Sequence, residues 1–220
     1  MKSIYSLLVF CFVLLGAESV SAQQYVTTSP DSVCAGSQNV HYRIPPPGGA
    51  SPTVYNWSLT GAGVMNVQAA PVNDSILVNW PNTVGTDTVK VYQSNGSCVG
   101  PTARLPVVRY RPSATLGGNT ATVCAGNGVN GNYTITFTGR PPYSVTYRFT
   151  SGANTIGPVT VNNIMTPTYT INIPAVANPG TYTGNIVTAN DKSCPITTIN
   201  GAPTLNVVAQ PVLPVIQHID

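Results

Sequence analysis

The sequence predicts an all-β protein made of two consecutive β-sandwich domains. Turn-forming residues are abundant, with 20 Gly and 20 Pro, and only 7% of the 220 residues are charged. Short segments rich in β-branched and aromatic residues recur between these turn signals, as strands do in sandwich proteins. The tetrapeptide VCAG occurs twice, at Val33–Gly36 and at Val123–Gly126, which indicates an internal repeat.

The N-terminal residues, 1–22, have the pattern of a secretory signal peptide. Lys2 precedes an apolar run from Leu7 to Leu15, which is too short to span a bilayer. Val20 and Ala22 supply small residues at alternate positions, so we expect cleavage after Ala22. We predict an exported protein without a transmembrane segment, at the cell surface or in the extracellular space, with the periplasm as an alternative.

The first half, residues 23–112, contains six predicted strands. Turn formers separate them, including three prolines and two glycines at positions 45–49. The predicted strands are His41–Ile44, Tyr55–Leu59, Val64–Val67, Ser75–Trp80, Asp87–Tyr92 and Leu105–Tyr110.

The second half, residues 113–209, repeats this plan, and we expect the boundary near Arg111–Gly118. Apolar and polar residues alternate clearly along Tyr133–Phe137 and Thr168–Ile173, which predicts one buried and one hydrated face. Residues 210–220 form an extended tail. The predicted strands are Tyr133–Phe137, Val145–Phe149, Val159–Val161, Thr168–Ile173, Thr181–Thr188 and Leu205–Val208.

Four cysteines remain after Cys11 leaves with the signal peptide, and an even number in an exported chain indicates disulfides. Cys34 and Cys124 lie in the two VCAG motifs, while Cys98 and Cys194 each follow a serine after a turn-like segment. Three pairings are possible. The repeat favours Cys34 with Cys98 and Cys124 with Cys194, one bond in each half.

Several motifs of the first half together resemble a known family. They are DSVCAG at Asp31–Gly36, YNW at Tyr55–Trp57, ILVNW at Ile76–Trp80, and GTDTVKVY at Gly85–Tyr92 followed by Ser97–Cys98. They resemble the PKD-like, immunoglobulin-fold modules found in surface proteins of bacteria that use type IX secretion. The second half lacks both tryptophans and resembles only an immunoglobulin-like sandwich. The resemblance implies a spacer, adhesin segment or interaction platform without catalytic residues.

Catalytic material is sparse in the exported chain. It holds two histidines, five scattered aspartates and no glutamate after Glu18, and it lacks GxSxG and HExxH motifs. We therefore expect no enzyme activity, no cofactor and no metal site. The net charge of +3 is too small to indicate nucleic-acid binding.

Three Asp-Ser/Thr-aliphatic sequences resemble an O-glycosylation sequon of the same bacterial group. Their candidate acceptors are Ser32, Ser75 and Thr88, although aspartate and serine also close turns at the start of strands.

Both tryptophans are predicted to pack in the core, and Trp57 occupies the place of the strand-C tryptophan of an immunoglobulin-like sandwich. Trp80 is also a candidate sugar-stacking platform, because it ends a predicted strand beside Pro81.

The apolar tail has two interpretations. It is either a flexible terminus or a strand that adds to the sheet edge of a partner, with Val212, Val215 and Ile219 as anchors. Together these features predict a non-catalytic structural, adhesive or protein-interaction component of the cell envelope, with envelope or surface proteins as partners. The alternatives are a carbohydrate-binding module, with a glycan as ligand, and an accessory subunit of a secretion or gliding-motility apparatus.

Overall fold

The computed structural model describes residues 31–44, 54–67, 74–95 and 98–214, and every regular element in these ranges is a β-strand. The predicted signal peptide and the end of the tail, with the proposed anchors Val215 and Ile219, lie outside them. The first half contains β1 (Asp31–Cys34), β2 (Val40–Arg43), β3 (Val54–Thr60), β4 (Val64–Val67), β5 (Ser75–Asn79), β6 (Gly85–Asn95) and β7 (Cys98–Tyr110).

These seven strands form two sheets, with the orders β1-β7-β6-β3 and β2-β5-β4. Strand β1 runs parallel to the end of β7, and the other pairs are antiparallel. The third, sixth and seventh strands share one sheet, while the second, fourth and fifth share the other. This is the strand distribution of an immunoglobulin-like sandwich.

The second half has the same plan with additional strands. It contains β8 (Ser113–Gly118), β9 (Ala121–Cys124), β10 (Val129–Thr138), β11 (Tyr143–Ser151), β12 (Asn154–Ile164), β13 (Thr168–Ile173), β14 (Gly180–Asn190), β15 (Thr198–Asn200) and β16 (Thr204–Val208). The sheet orders are β13-β10-β8-β15 and β12-β11-β14-β16-β9. Strand β9 pairs in parallel with β16, as β1 does with β7.

Each half has its own hydrophobic core. The buried cluster of the first half consists of Val33, Tyr42, Ile76, Val78, Trp80, Val89 and Val107. The cluster of the second half is larger, and its most deeply buried members include Leu116, Tyr133, Ile135, Ile171 and Leu205. The predicted alternation in Tyr133–Phe137 is confirmed, since Tyr133, Ile135 and Phe137 are all buried.

Each of the twelve predicted strands overlaps an observed one, although β7 begins seven residues before the predicted Leu105, and four observed strands were not predicted. These are β1, β8, β9 and β15. Three of them have only three or four residues and form parallel pairs with strands of the same half that are distant in sequence. Such short segments carry too little alternation for a local pattern to reveal them.

The disulfide pairing favoured by the repeat is wrong. The structure joins Cys34 to Cys194, with 5.7 Å between their Cα atoms. Cys34 lies opposite Tyr110 at the end of β7, whereas Cys98 begins that strand. At about 3.3 Å per strand residue the two cysteines are roughly 40 Å apart, far beyond the span of a disulfide.

The same reason separates Cys124 from Cys194. Cys124 lies opposite Val208, near the start of β14, whereas Cys194 follows the end of β14. Strand β14 has 11 residues, so at about 3.3 Å per residue it holds the two ends roughly 30 Å or more apart.

Candidate functional site: the junction between the two sandwiches

The two VCAG motifs form the same backbone corner. In the first, the N–H groups of Ala35 and Gly36 donate to the carbonyls of Tyr110 and Pro81, at 2.8 and 3.0 Å. In the second, the corresponding N–H groups of residues 125 and 126 donate to the carbonyls of residues 208 and 176, at 2.7 and 2.8 Å. The glycine that ends the motif needs a left-handed backbone in both copies, with φ of 89° at Gly36 and 87° at Gly126. Each corner fixes its cysteine at the end of a parallel strand.

A buried aspartate shapes the loop that presents Cys194. Asp191 Oδ1 accepts hydrogen bonds from the N–H groups of Ser193 and Cys194, at 2.8 and 2.5 Å. Its other oxygen accepts from the Arg140 N–H at 3.1 Å. A carboxylate that accepts hydrogen bonds from three backbone N–H groups holds a tight turn firmly, so Cys194 is presented in one orientation.

At the junction, Cys34 of the first half and Cys194 of the second half are joined by the disulfide, and Cys34 Sγ lies 3.3 Å from the carbonyl oxygen of Ser193. Cys194 is buried and Cys34 is half-buried. The bond therefore lies between two sandwiches whose cores are separate. It restricts the orientation of one half relative to the other rather than closing either core.

Tyr110 extends the contact between the halves. The guanidinium carbon of Arg140 lies 5.7 Å from the centroid of the Tyr110 ring, within range of a cation–π interaction. Burial raises the pKa of the Tyr110 hydroxyl, and the neighbouring Asp191 carboxylate raises it further. Although Asp191 is close enough to have this effect, the buried hydroxyl makes no hydrogen bond of acceptable geometry among the described residues. The hydroxyl is thus held protonated against the second half.

The connection between the halves is short. Only Arg111 and Pro112 separate β7 from β8, and proline fixes its own φ. The Arg111 guanidinium also donates to Asn82 Oδ1 at 2.8 Å, on the loop that precedes β6. A two-residue connection, a disulfide and a cation–π contact together restrain the junction.

The two remaining cysteines are free thiols in the described part of the chain. Cys98 is exposed and Cys124 is half-buried. Both were predicted to be bonded within their own halves, which the strand register prevents.

The candidate glycosylation acceptors Ser32, Ser75 and Thr88 lie half-buried in β1, β5 and β6. The preceding aspartates are engaged in different ways. Asp31 accepts from the Tyr42 hydroxyl at 3.1 Å, Asp74 forms an exposed ion pair with Arg43, and Asp87 is buried. The three sites are not brought together, and their modification stays a prediction.

The tryptophan predictions need one correction. Trp80 is 1% exposed and packs edge-on against Tyr42, with ring centroids 6.3 Å apart, so it cannot act as a sugar platform. Its predicted core position is confirmed. Trp57 is instead the half-buried member and packs against the margin of the core. Its neighbourhood has no disulfide, because Cys34 bonds across the junction.

A cleft lies beside Trp57 in the first half. It has a volume of about 210 Å³ and is lined mainly by apolar side chains, including Tyr42, Val91 and Leu105. Within the described ranges, no three His, Cys, Asp or Glu side chains come together in a group that could hold a metal ion.

The beginning of the tail projects from the second half. Val212 and Leu213 are 91% and 92% exposed, without regular secondary structure. This exposure leaves the predicted role of Val212 as a partner anchor untested. In the described part of the chain, no helix has the length and hydropathy needed to cross a bilayer.

Strand order and register define both halves as immunoglobulin-like sandwiches. No protein-family model and no curated protein matches the sequence. Among solved structures, the Escherichia coli adhesin FdeC is similar at 16% identity and a TM-score of 0.46, over 83% of this chain and 63% of the adhesin chain. A chimeric titin Z1Z2 is similar at 16% identity and a TM-score of 0.38, over 83% of this chain and 93% of its own. The Yersinia pseudotuberculosis adhesin InvE is similar at 9% identity and a TM-score of 0.36, over 83% and 57%.

Sequence reasoning missed the residues that build the junction. Asp191, Arg140 and Tyr110 come from three separate segments, and no motif links them. The one available signal was the VCAG repeat, which marks both corners. The repeat shows that the corners are alike, but it carries no information on which strand ends meet.

Proposed function

We propose that this chain is an exported, non-catalytic structural or adhesive component of the cell envelope, built as a stapled pair of immunoglobulin-like modules. The modules comprise residues 23–112 and 113–209, in keeping with the two-residue connection at Arg111–Pro112. The observation that carries the proposal is the Cys34–Cys194 disulfide between two separately packed cores.

The position of the disulfide supports a mechanical role. Domains joined by a linker move relative to one another unless their interface is large and apolar. Here a covalent bond and a two-residue connection restrain that movement, which suits a protein that keeps a fixed spacing or transmits force. The disulfide also requires an oxidising compartment, in keeping with export. The resemblance of the first half to PKD-like surface modules supports the same location.

The proposal is tested by native pull-down from the producing cells, with surface-protease accessibility scored on the same sample. We expect protease-accessible protein that co-purifies with a defined envelope protein. Cys194→Ser and Cys34→Ser each remove the junction disulfide and should reduce this association equally, while each half stays folded. Recovery of the wild-type protein free of any envelope partner would contradict the proposal.

A further inference from the structure

The disulfide at the junction joins two different cysteine positions, one from each module. It connects the VCAG cysteine of the first module to the cysteine that follows β14 of the second, the strand that lies between β16 and β11 as β6 lies between β7 and β3. The two free cysteines have the complementary positions, because Cys124 is the VCAG cysteine of the second module and Cys98 follows β6 in the first. We propose that Cys124 of one copy of this chain forms a disulfide with Cys98 of a second copy, joining copies head to tail.

The corner that holds Cys124 is already built for this bond. Its two strand-end hydrogen bonds match those around Cys34. The loop after each cysteine closes by the same hydrogen bond: the Asn127 N–H donates to the Cys124 carbonyl, and the Ser37 N–H donates to the Cys34 carbonyl, both at 3.1 Å. Both cysteines are half-buried. A backbone that presents Cys34 to a neighbouring module therefore presents Cys124 in the same way.

The register places the free thiols at the two outer ends of the molecule. Strand β7 runs from Cys98 to Tyr110, and Tyr110 lies at the junction, so Cys98 is at the opposite end of the first module. Strand β14 runs from Gly180 toward the junction, and Cys124 lies close to its start. The two thiols of one chain therefore lie at opposite ends, too far apart to bond to each other, and a second copy supplies the partner thiol that completes the observed pattern.

The chemistry is a two-electron oxidation. The Cys124 thiol of one copy and the Cys98 thiol of the next each lose a proton, and one S–S bond forms. The two electrons and two protons pass to a disulfide oxidant, such as oxidised glutathione, which is reduced to two thiols. Each new bond consumes one Cys124 thiol and one Cys98 thiol, and the lengthened polymer keeps one free thiol of each kind at its two ends, so the interface is heterologous and open-ended. The inference rests on the proposed structural function, because it gives that function its repeating unit.

The test uses the exported chain purified from its producing cells and incubated with oxidised glutathione, followed by non-reducing electrophoresis and peptide mass spectrometry. The wild-type protein should give dimers, trimers and longer species. Cys98→Ser alone and Cys124→Ser alone should each stay monomeric. An equal mixture of the two variants should give dimers joined by a Cys124–Cys98 peptide and nothing larger. Retention of the Cys34–Cys194 peptide in every sample shows that the junction is intact.

Four results would overturn the inference: wild-type monomers whose thiols stay reactive, a Cys98–Cys124 bond within one chain, symmetric dimers of either single variant, or thiols bonded in cells to a different protein. The proposed function fails on a different measurement. If no ladder forms but an envelope protein still co-purifies, the head-to-tail bond is rejected and the structural role stands.

Discussion

Arg109 donates from Nε to Asp87 Oδ2 across 2.5 Å, and both side chains are buried in the first sandwich, 6% and 1% exposed. Asp87 Oδ1 also accepts from the Ala62 N–H at 2.9 Å, so this carboxylate joins the β3–β4 turn to β6 and β7. The Arg109 guanidinium donates in addition to Thr83 Oγ1 at 2.8 Å. A buried pair of this kind becomes costly when one partner is removed.

We expect Asp87→Ala to lower the free energy of unfolding by about 3–5 kcal/mol, because it leaves the Arg109 charge buried and unpaired. The matched control is Asp74→Ala, since Asp74 pairs with Arg43 at 3.5 Å on the surface, where the side chains are 36% and 59% exposed. That change should cost about 1 kcal/mol or less. Urea denaturation followed by tryptophan fluorescence measures both, and equal losses would show that the buried pair does not stabilise the fold.

Gly61 lies directly against the same carboxylate. It has φ of 121°, and a Cβ built there would lie 1.5 Å from Asp87 Oδ1. Gly131 also has positive φ, 78°, but a Cβ would meet nothing within 4 Å. We expect Gly131→Ala to cost about 1–2 kcal/mol from backbone strain alone. Gly61→Ala should cost about 1–3 kcal/mol more, because the methyl group displaces Asp87. Thermal unfolding of the two variants compares them, and a smaller loss for Gly61→Ala would contradict the packing.

Stability should fall in alkaline solution through buried tyrosines. Burial raises the pKa of Tyr147 to about 12, with the neighbouring Tyr169 as a smaller cause. An unfolded tyrosine ionises near pH 10, so between about pH 10 and 12 the folded protein binds more protons than the unfolded chain. The favourable contribution of Tyr147 to the free energy of unfolding is complete below about pH 10 and is lost as the pH rises through about 12.

We therefore expect Tyr147→Phe to make the loss of stability between pH 10 and 12 less steep. The measurement is urea denaturation at several pH values, in a Cys98→Ser, Cys124→Ser background that prevents thiol exchange. The control is Tyr92→Phe, a half-buried tyrosine on β6. If Tyr147→Phe leaves the pH dependence unchanged, its ionisation is not linked to unfolding.

The junction disulfide should prevent most of the chain from being extended by a pulling force. Cys34 and Cys194 are 160 residues apart, and pulling on the two ends of the oxidised protein cannot extend the segment between them. Reduction should release roughly 55 nm of additional contour length, at about 3.5 Å per residue. Single-molecule stretching before and after reduction measures this contour length. The control is Cys194→Ser, which lacks the disulfide and should reach the full contour length without reduction. Equal lengths in both states would show that the staple is not formed.

Removal of Gln210–Asp220 should leave the fold intact, because the described part of this segment is exposed and outside both cores. We expect the same unfolding midpoint and a loss of association with the envelope partner, as for a strand that adds to a partner's sheet edge. Co-purification of the truncated and full-length proteins decides this. Unchanged retention would assign the tail no role in binding.

Much of the strand content follows from local pattern. Alternation in Tyr133–Phe137 and Thr168–Ile173 places apolar side chains on one face whatever the rest of the chain does, since successive side chains of a strand point to opposite faces. The core position of Trp80 follows from its size and its apolar neighbours. The repeated VCAG motif was also visible in the sequence, whereas the common corner, with Gly36 and Gly126 in a left-handed backbone, was revealed by the structure.

Tertiary structure alone decided which residues meet. The pairing of Cys34 with Cys194, the burial of Asp87 against Arg109 and the contact of Arg140 with Tyr110 each join segments that are distant in sequence. A disulfide requires Cα atoms within about 7 Å, and that proximity depends on strand register and on how one sandwich follows the other. The sequence by itself determined two similar sandwiches with the same cysteine motif in each, whereas the bond between them was decided by which strand ends the register brings to the junction.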